Sequence, residues 1–158
     1  GTVRAVGFLF FVSVIAWPSL CSQIHSSRPD PGGWFPVKMA AVWGLCELAG
    51  RKHAEGKIMS SRVTAAPIAL RAAVIPVLIG MAKSSGFLGS WQDVAALAVV
   101  GLLSSTLGFF SSVMTAYAAN KASVAEREWA GQFVQFSIAA GLASGSCAAY
   151  LVNRFLVH

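Results

Sequence analysis

Three stretches of this chain, Ala5 to Ile24, Val94 to Ala119 and Trp129 to Val152, are apolar and hold no charged residue. A helical residue rises about 1.5 Å and the hydrocarbon core of a bilayer is about 30 Å thick, so roughly 20 helical residues cross it. Each stretch reaches that length. Two more, Trp34 to Gly50 and Val63 to Ala82, bring the predicted spans to five, although the former is short and holds Lys38 and Glu47, and the latter holds Arg71. In lipid every backbone N–H and C=O must be bonded within the segment, so uninterrupted runs of this length predict helices and not barrel strands. The expected fold class is therefore an all-α membrane protein with five transmembrane helices. Only 11% of the 158 residues are charged, against about a quarter in soluble domains, and mean hydropathy is +0.66. Most soluble classes are excluded.

Between the runs lie polar linkers: His25 to Gly33 with Ser, Pro and Gly, basic Arg51 to Arg62, the Ser/Gly loop Lys83 to Asp93, and charged Asn120 to Glu128. The chain is read as one helical domain, residues 1–158. Its net charge of +6 would point to nucleic acid in a soluble protein; in a membrane protein it marks basic loops, and no nucleic-acid polymer is expected as a partner. Alternating helices sort the loops onto two faces. Arg4, Arg51, Lys52, Lys57, Arg62, Lys121 and Arg127 fall on one, and Arg28, Lys83, Arg154 and an outward-reaching Lys38 on the other, seven against four. The first face is expected in the cytoplasm, with His158 outside. Trp34, Trp91 and Trp129 sit at the edges of apolar runs, where an indole keeps its N–H in the headgroup layer. Cys21, Cys46 and Cys147 lack metal-ligand spacing and read as packing residues.

Arg71 is the most informative single residue. Eight residues beyond Val63, it lies about 12 Å into its helix, and an arginine at that depth must face a watery cavity or a partner. It is either a pathway or gate residue, or an assembly residue held by carbonyls or by an acid of a neighbouring helix. Glu47 and Arg51, spaced i, i+4, share one helix face with Gly44, Trp43 and Ala40. That stripe has an ion pair at its base, a glycine gap and a large aromatic. It suits a planar, hydrogen-bonding solute that stacks on Trp43 and donates to Glu47; the alternative is an interfacial pair with a packing tryptophan. Pro18, Pro67 and Pro76 fall within helices as bends or kinks. Gly141 and Gly145 form a small-xxx-small step for close helix packing. No nucleophile with a base, paired carboxylates or phosphate-cradling loop is present in the sequence, which disfavours an enzyme, and no cofactor or metal is expected.

Several of these features, in order along the chain, resemble the C-terminal half of the equilibrative nucleoside transporter family. Glu47-Leu48-Ala49-Gly50-Arg51 is similar to the acid-x-x-Gly-Arg signature ending the family's eighth helix, with glutamate for the usual aspartate. Arg71 with Pro76 resembles the Arg-x-x-x-x-Pro of the ninth. Gly108-Phe109-Phe110-Ser111-Ser112 resembles the Gly-Tyr-x-x-Ser run of the tenth, with Leu107 where an asparagine is usual. Glu126-Arg127-Glu128-Trp129-Ala130-Gly131 and Gly141-Leu142-Ala143-Ser144-Gly145 are similar to the entry and core of the eleventh, and Trp17-Pro18 stands at the aromatic-Pro step of the seventh.

The resemblance implies a major-facilitator-like architecture in which two helical halves enclose a central site and expose it alternately to each side. It implies a nucleoside or nucleobase as solute, moved down its gradient or with protons, with Glu47 and Arg51 lining the route. The expected solute-binding residues are Glu47, Arg51, Trp43, Gly44 and Arg71, the charged three converging on one polar cavity. The expected partners are the solute, the bilayer, and an N-terminal helical half or neighbouring membrane subunits. The chain, starting at Gly1, is expected to be helices seven to eleven of a longer multi-pass protein, in the plasma membrane or else an organellar one. A membrane scaffold or assembly subunit built from the same helices is the alternative.

Overall fold

The computed structural model describes residues 2–27, 32–57, 65–84 and 88–157. Arg28, Arg62, Val63 and His158, which entered the loop count and span boundaries, lie outside the described residues. Five α-helices occur among those described: α1 Thr2–Val14, α2 Phe35–Ala54, α3 Ala65–Lys83, α4 Gln92–Lys121 and α5 Arg127–Val152. α1 continues through a π-helical turn, Ile15–Leu20, and a 3-10 turn, Cys21–Gln23; α5 continues through Asn153–Val157. The described residues contain no strand, in keeping with the all-α expectation. Arg4–Gln23, Gly89–Lys121 and Arg127–Phe155 are long and apolar enough to cross a membrane.

The helix limits have local causes. Pro36 sits in the first turn of α2, where its missing N–H has no intrahelical partner to lose, and Arg51, Lys52 and His53 occupy the last turn, facing the negative end of the helix dipole. α2 therefore runs four residues past the predicted Gly50, because charge ends an apolar run without ending a helix. Glu126 and Ser123 form a capping box ahead of α5, with the Ser123 hydroxyl 2.7 Å from Glu126 Oε2. In the first span Trp17 leaves helical geometry, at φ −132° and ψ 133°, the extended region that a following proline favours. Pro76 is accommodated inside a continuous α3.

Two parallel pairs build the bundle. α2 lies along α4 so closely that a Cβ at Gly50 would meet the Ser105 backbone and one at Gly108 would meet the Glu47 carbonyl; one turn earlier, Gly101 faces Val42 and Cys46. α1 lies along α5 in the same way, with Gly141 against the backbone of Gly7, Gly145 against Phe11, and Asn153 Nδ2 donating to Ser19 Oγ at 2.9 Å. In both pairs residue numbers rise together. The turn after α1 is tied to the start of α4, where Asp93 accepts from Ser26 Oγ at 2.8 Å and from Ser27 N at 2.7 Å, and Gln92 Nε2 donates to the His25 carbonyl at 3.2 Å. The end of α1 and the start of α4 thus share one end of the bundle, as alternating directions require.

Leu9, Leu20, Met39, Leu78, Met81 and Met114 fill the core, while Leu45, Leu102, Phe133, Phe136 and Leu151 are exposed, an apolar periphery suited to lipid. Trp34, Trp91 and Trp129 are exposed at the starts of their helices. Cys21 is buried and Cys46 half-buried, but Cys147 is exposed on α5, which corrects its reading as a packing residue: its helix turns Gly141, Gly145 and Ala149 inward instead.

Alanine at Gly50 should destabilise the solubilised protein by about 1–3 kcal/mol, since the obstructing atoms are backbone. Alanine at Gly44, where an added Cβ would meet nothing within 4 Å, should be neutral or stabilising by up to about 1 kcal/mol. Thermal melting in detergent compares the two.

Candidate functional site

α2 carries the candidate site as successive turns of one helix. Trp43 Nε1 donates to Glu47 Oε2 at 3.1 Å, and Arg51 Nη2 donates to Glu47 Oε1 at 2.5 Å. Each carboxylate oxygen therefore has one fixed donor, which sets the plane of the group. Burial falls along the series: Trp43 is 9% exposed, the Glu47 side chain 21% and the Arg51 side chain 56%. The carboxylate stands at the boundary of the bundle, neither in bulk solvent nor sealed.

The helix face is split. Ala40 and Gly44 are exposed, whereas Trp43 turns inward and stacks on Trp17 with ring centroids 5.1 Å apart and planes 11° from parallel. One face of the Trp43 indole, expected as a solute platform, is thus already covered by another indole. Trp17 was readable in sequence only as the residue before Pro18, and nothing local joined it to Trp43. Gly44 keeps open space beside Trp43, while the glycines that admit a neighbouring helix are Gly50 and Gly108.

Arg51 also lines a cleft of about 660 Å³ between the ends of α2 and α4, with Lys52, Glu55, Lys57, Ser112 and Asn120. A second cleft of about 410 Å³ is lined by Gly50, His53, Ser105, Thr106 and Phe109. Lys57 Nζ lies 2.9 Å from His53 Nε2 and 5.5 Å from the centre of the Phe109 ring. Beside the first cleft, this places a cluster of cations at the end of α2.

Arg71 stands apart from the Trp43–Glu47–Arg51 series, although its partner Thr106 lines the second cleft. Only 3% exposed, it donates from Nη1 to Ser13 Oγ at 2.6 Å, and from Nη2 to Thr106 Oγ1 at 2.8 Å and to the Leu103 carbonyl. Its Nε has no partner among the described residues. The guanidinium faces α1 and α4 and not lipid, yet it lines neither cleft and bonds to none of Trp43, Glu47 and Arg51. The structure brings three of the sequence-derived residues into one hydrogen-bonded series, leaves Gly44 beside it, and puts Arg71 elsewhere in the bundle. Ser13 and Thr106 were not readable as its partners, being hydroxyls within long apolar runs.

The sequence profile of a family described as nucleoside transporter matches residues 2–154. The chain belongs to the nucleoside transporter family. Equilibrative nucleoside transporter 4 of Homo sapiens is 28% identical to it over 151 residues, which cover 92% of this chain and 27% of the human protein. The chain thus spans about a quarter of the length of that relative. No solved structure matches it. With its family and its apolar helices, the chain is an integral membrane protein.

Because Arg51 is half exposed, its ion pair contributes little to stability, and Arg51→Ala should cost less than about 1 kcal/mol. Trp43→Ala, which empties a stacked and buried site, should cost about 3–5 kcal/mol. Melting curves of the two variants separate these cases, and a larger loss of function than of stability in Arg51→Ala reports on solute.

Proposed function

We propose that this chain supplies the C-terminal helical half of a carrier, not an enzyme, that moves nucleosides or nucleobases across a membrane by alternating access. What supports the reading is the family match together with one geometric observation: a carboxylate at the edge of the bundle, held by one donor on each oxygen.

An ionised carboxylate accepts about four hydrogen bonds. Trp43 and Arg51 take two of these at Glu47, and the remaining lone pairs accept the neighbouring hydroxyls of a ribose or the N–H groups of a base. In this reading Trp43 aims the carboxylate and does not serve as the stacking surface, because Trp17 occupies its face. Gly44 leaves room for the solute next to the pair. Arg51 closes the inner end: it can donate to solute, or hold Glu47 when solute leaves. The face with Arg4, Arg51, Lys52 and Lys57 is the cytoplasmic one, by the excess of basic residues. An N-terminal half closing over α2 completes the site, and the break at Trp17 gives α1 a place to bend.

Purified together with the N-terminal half that completes the site, the protein should melt at higher temperature in the presence of adenosine or uridine, by an amount corresponding to about 2.7 kcal/mol at 100 times Kd. Glu47→Gln keeps the size and the Trp43 acceptor but removes the charge, and should weaken that stabilisation and nucleoside uptake by at least about tenfold. If neither nucleoside shifts melting nor enters vesicles holding the protein, the carrier reading fails and a scaffold that has kept the family's helices takes its place.

A further inference from the structure

Arg71 is a buried charge whose acceptors do not depend on it. Each of its acceptors is already satisfied at home. Ser13 Oγ donates to the Leu9 carbonyl at 2.6 Å, Thr106 Oγ1 lies 2.7 Å from the Leu102 carbonyl, and the Leu103 carbonyl is inside α4, where the helix itself supplies a donor. Removing the guanidinium therefore orphans none of them. Conversely, among the described residues none of Arg71's hydrogen-bond partners is a carboxylate, and its buried Nε has no partner. A charge held at this depth without a counterion among its partners is expensive. It has to be accounted for by what it positions.

The two elements it joins are the two that support Glu47. On one side, Ser13 lies one turn before Trp17, the residue where α1 leaves helical geometry; Trp17 stacks on Trp43, and Trp43 donates to Glu47. On the other side, Leu103 and Thr106 flank Ser105, whose backbone is the surface on which Gly50 rests, between Glu47 and Arg51. One guanidinium thus ties α1 to α4, one turn from the Trp17 stack on α2 and beside the Ser105 contact with Gly50. A planar fork with donors pointing two ways can bridge two helices at once, which a lysine ammonium on a single stem does less well.

We propose that Arg71 is a positioning residue of the solute site: it holds the α1 turn below Trp17 and the α4 turn beneath Gly50, and so sets the Glu47 carboxylate for solute without touching it. This rests on the assignment of Glu47 as the solute-binding acid. Arg71 acts on the pose of that acid, not on the integrity of the fold.

The test uses the intact protein in proteoliposomes, with tritiated uridine and adenosine as probes. Arg71→Met, apolar and of similar length, should leave the melting temperature unchanged or higher while raising KM about tenfold; Arg71→Lys should not restore KM. Ser13→Ala and Thr106→Ala, which keep the arginine, should each raise KM about threefold, and carry the test if Arg71→Met does not fold. In a Glu47→Gln background Arg71→Met should add no further loss, since the group being positioned is gone. An unchanged KM with a lowered melting temperature makes Arg71 an assembly residue and overturns the proposal, as does a full, independent loss in the Glu47→Gln background. A separate arm needs no transport: with the exposed Trp34, Trp91 and Trp129 replaced by phenylalanine, emission comes from the Trp17–Trp43 pair. Arg71→Met should shift that emission, and an unchanged spectrum would falsify the positioning role. Absence of uptake by the unaltered protein strikes the carrier reading alone, and the emission arm then decides this one.

Discussion

Inside a bilayer the lipid tails are as apolar as leucine, so nothing hydrophobic pulls one helix onto another, and contact has to come from close backbone approach. In this chain that approach is made by glycines. Gly50 and Gly108 let α2 and α4 meet backbone to backbone, and Gly7, Gly141 and Gly145 do the same for α1 and α5. The candidate site depends on the first of these meetings. The Glu47 carbonyl sits against Gly108, so the acid's own helix turn is part of the crossing, and any side chain at position 108 would push it outward. The acid-x-x-Gly-Arg spelling thus joins two requirements in five residues: a carboxylate and its cation a turn apart, and between them a glycine that seats the helix carrying both.

Polar side chains in the bundle follow two regimes. Most are satisfied by their own helix: Ser111 and Ser112 return to the Gly108 carbonyl, Thr115 to Ser111, and Ser144 to Ala140. Such hydroxyls can sit in lipid-buried helices without a partner elsewhere and specify little. Glu47 belongs to this regime as well, since both of its partners are one turn away on α2. Arg71 is of the other kind, with its partners among the described residues all on other helices. The same contrast separates what a point change can do: altering Ser111, Ser112 or Ser144, each bonded within its own helix, leaves its neighbours where they are, whereas altering Arg71 or its partner Ser13 changes a tie between helices.

That contrast also explains what could be read from the sequence. Helix number, order and most limits follow from length and charge, and the Trp43–Glu47–Arg51 series follows from i, i+4 spacing alone. Extension of α2 to Ala54 was hidden because hydropathy stops at Arg51, although a basic last turn favours the helix. The partners of Arg71 were not readable for a different reason. Ser13 is 58 residues away, and the Leu103 carbonyl is a backbone group that any side chain at that position would offer. Depth in the span announced that Arg71 needs partners, and only packing could say which. For Trp17 the proline marked a break, but its stack on Trp43 is a tertiary fact.

Because Glu47 is satisfied within α2, its carboxylate goes where α2 goes. Two contacts set that position, and they differ in kind. The glycine contact with α4 sets backbone against backbone at Gly50 and Gly108, which fixes the separation of the two helices. The contact with α1 is a pair of stacked indoles, broad, oriented and centred on a residue that has left helical geometry. A bend of α1 at Trp17 therefore reaches Trp43 directly, and through its N–H reaches one oxygen of Glu47, while the oxygen held by Arg51 stays with α2. The acid is placed so that a movement of α1 rotates it and does not simply displace it, and the tie that limits that movement is the one Arg71 makes to Ser13 a turn below.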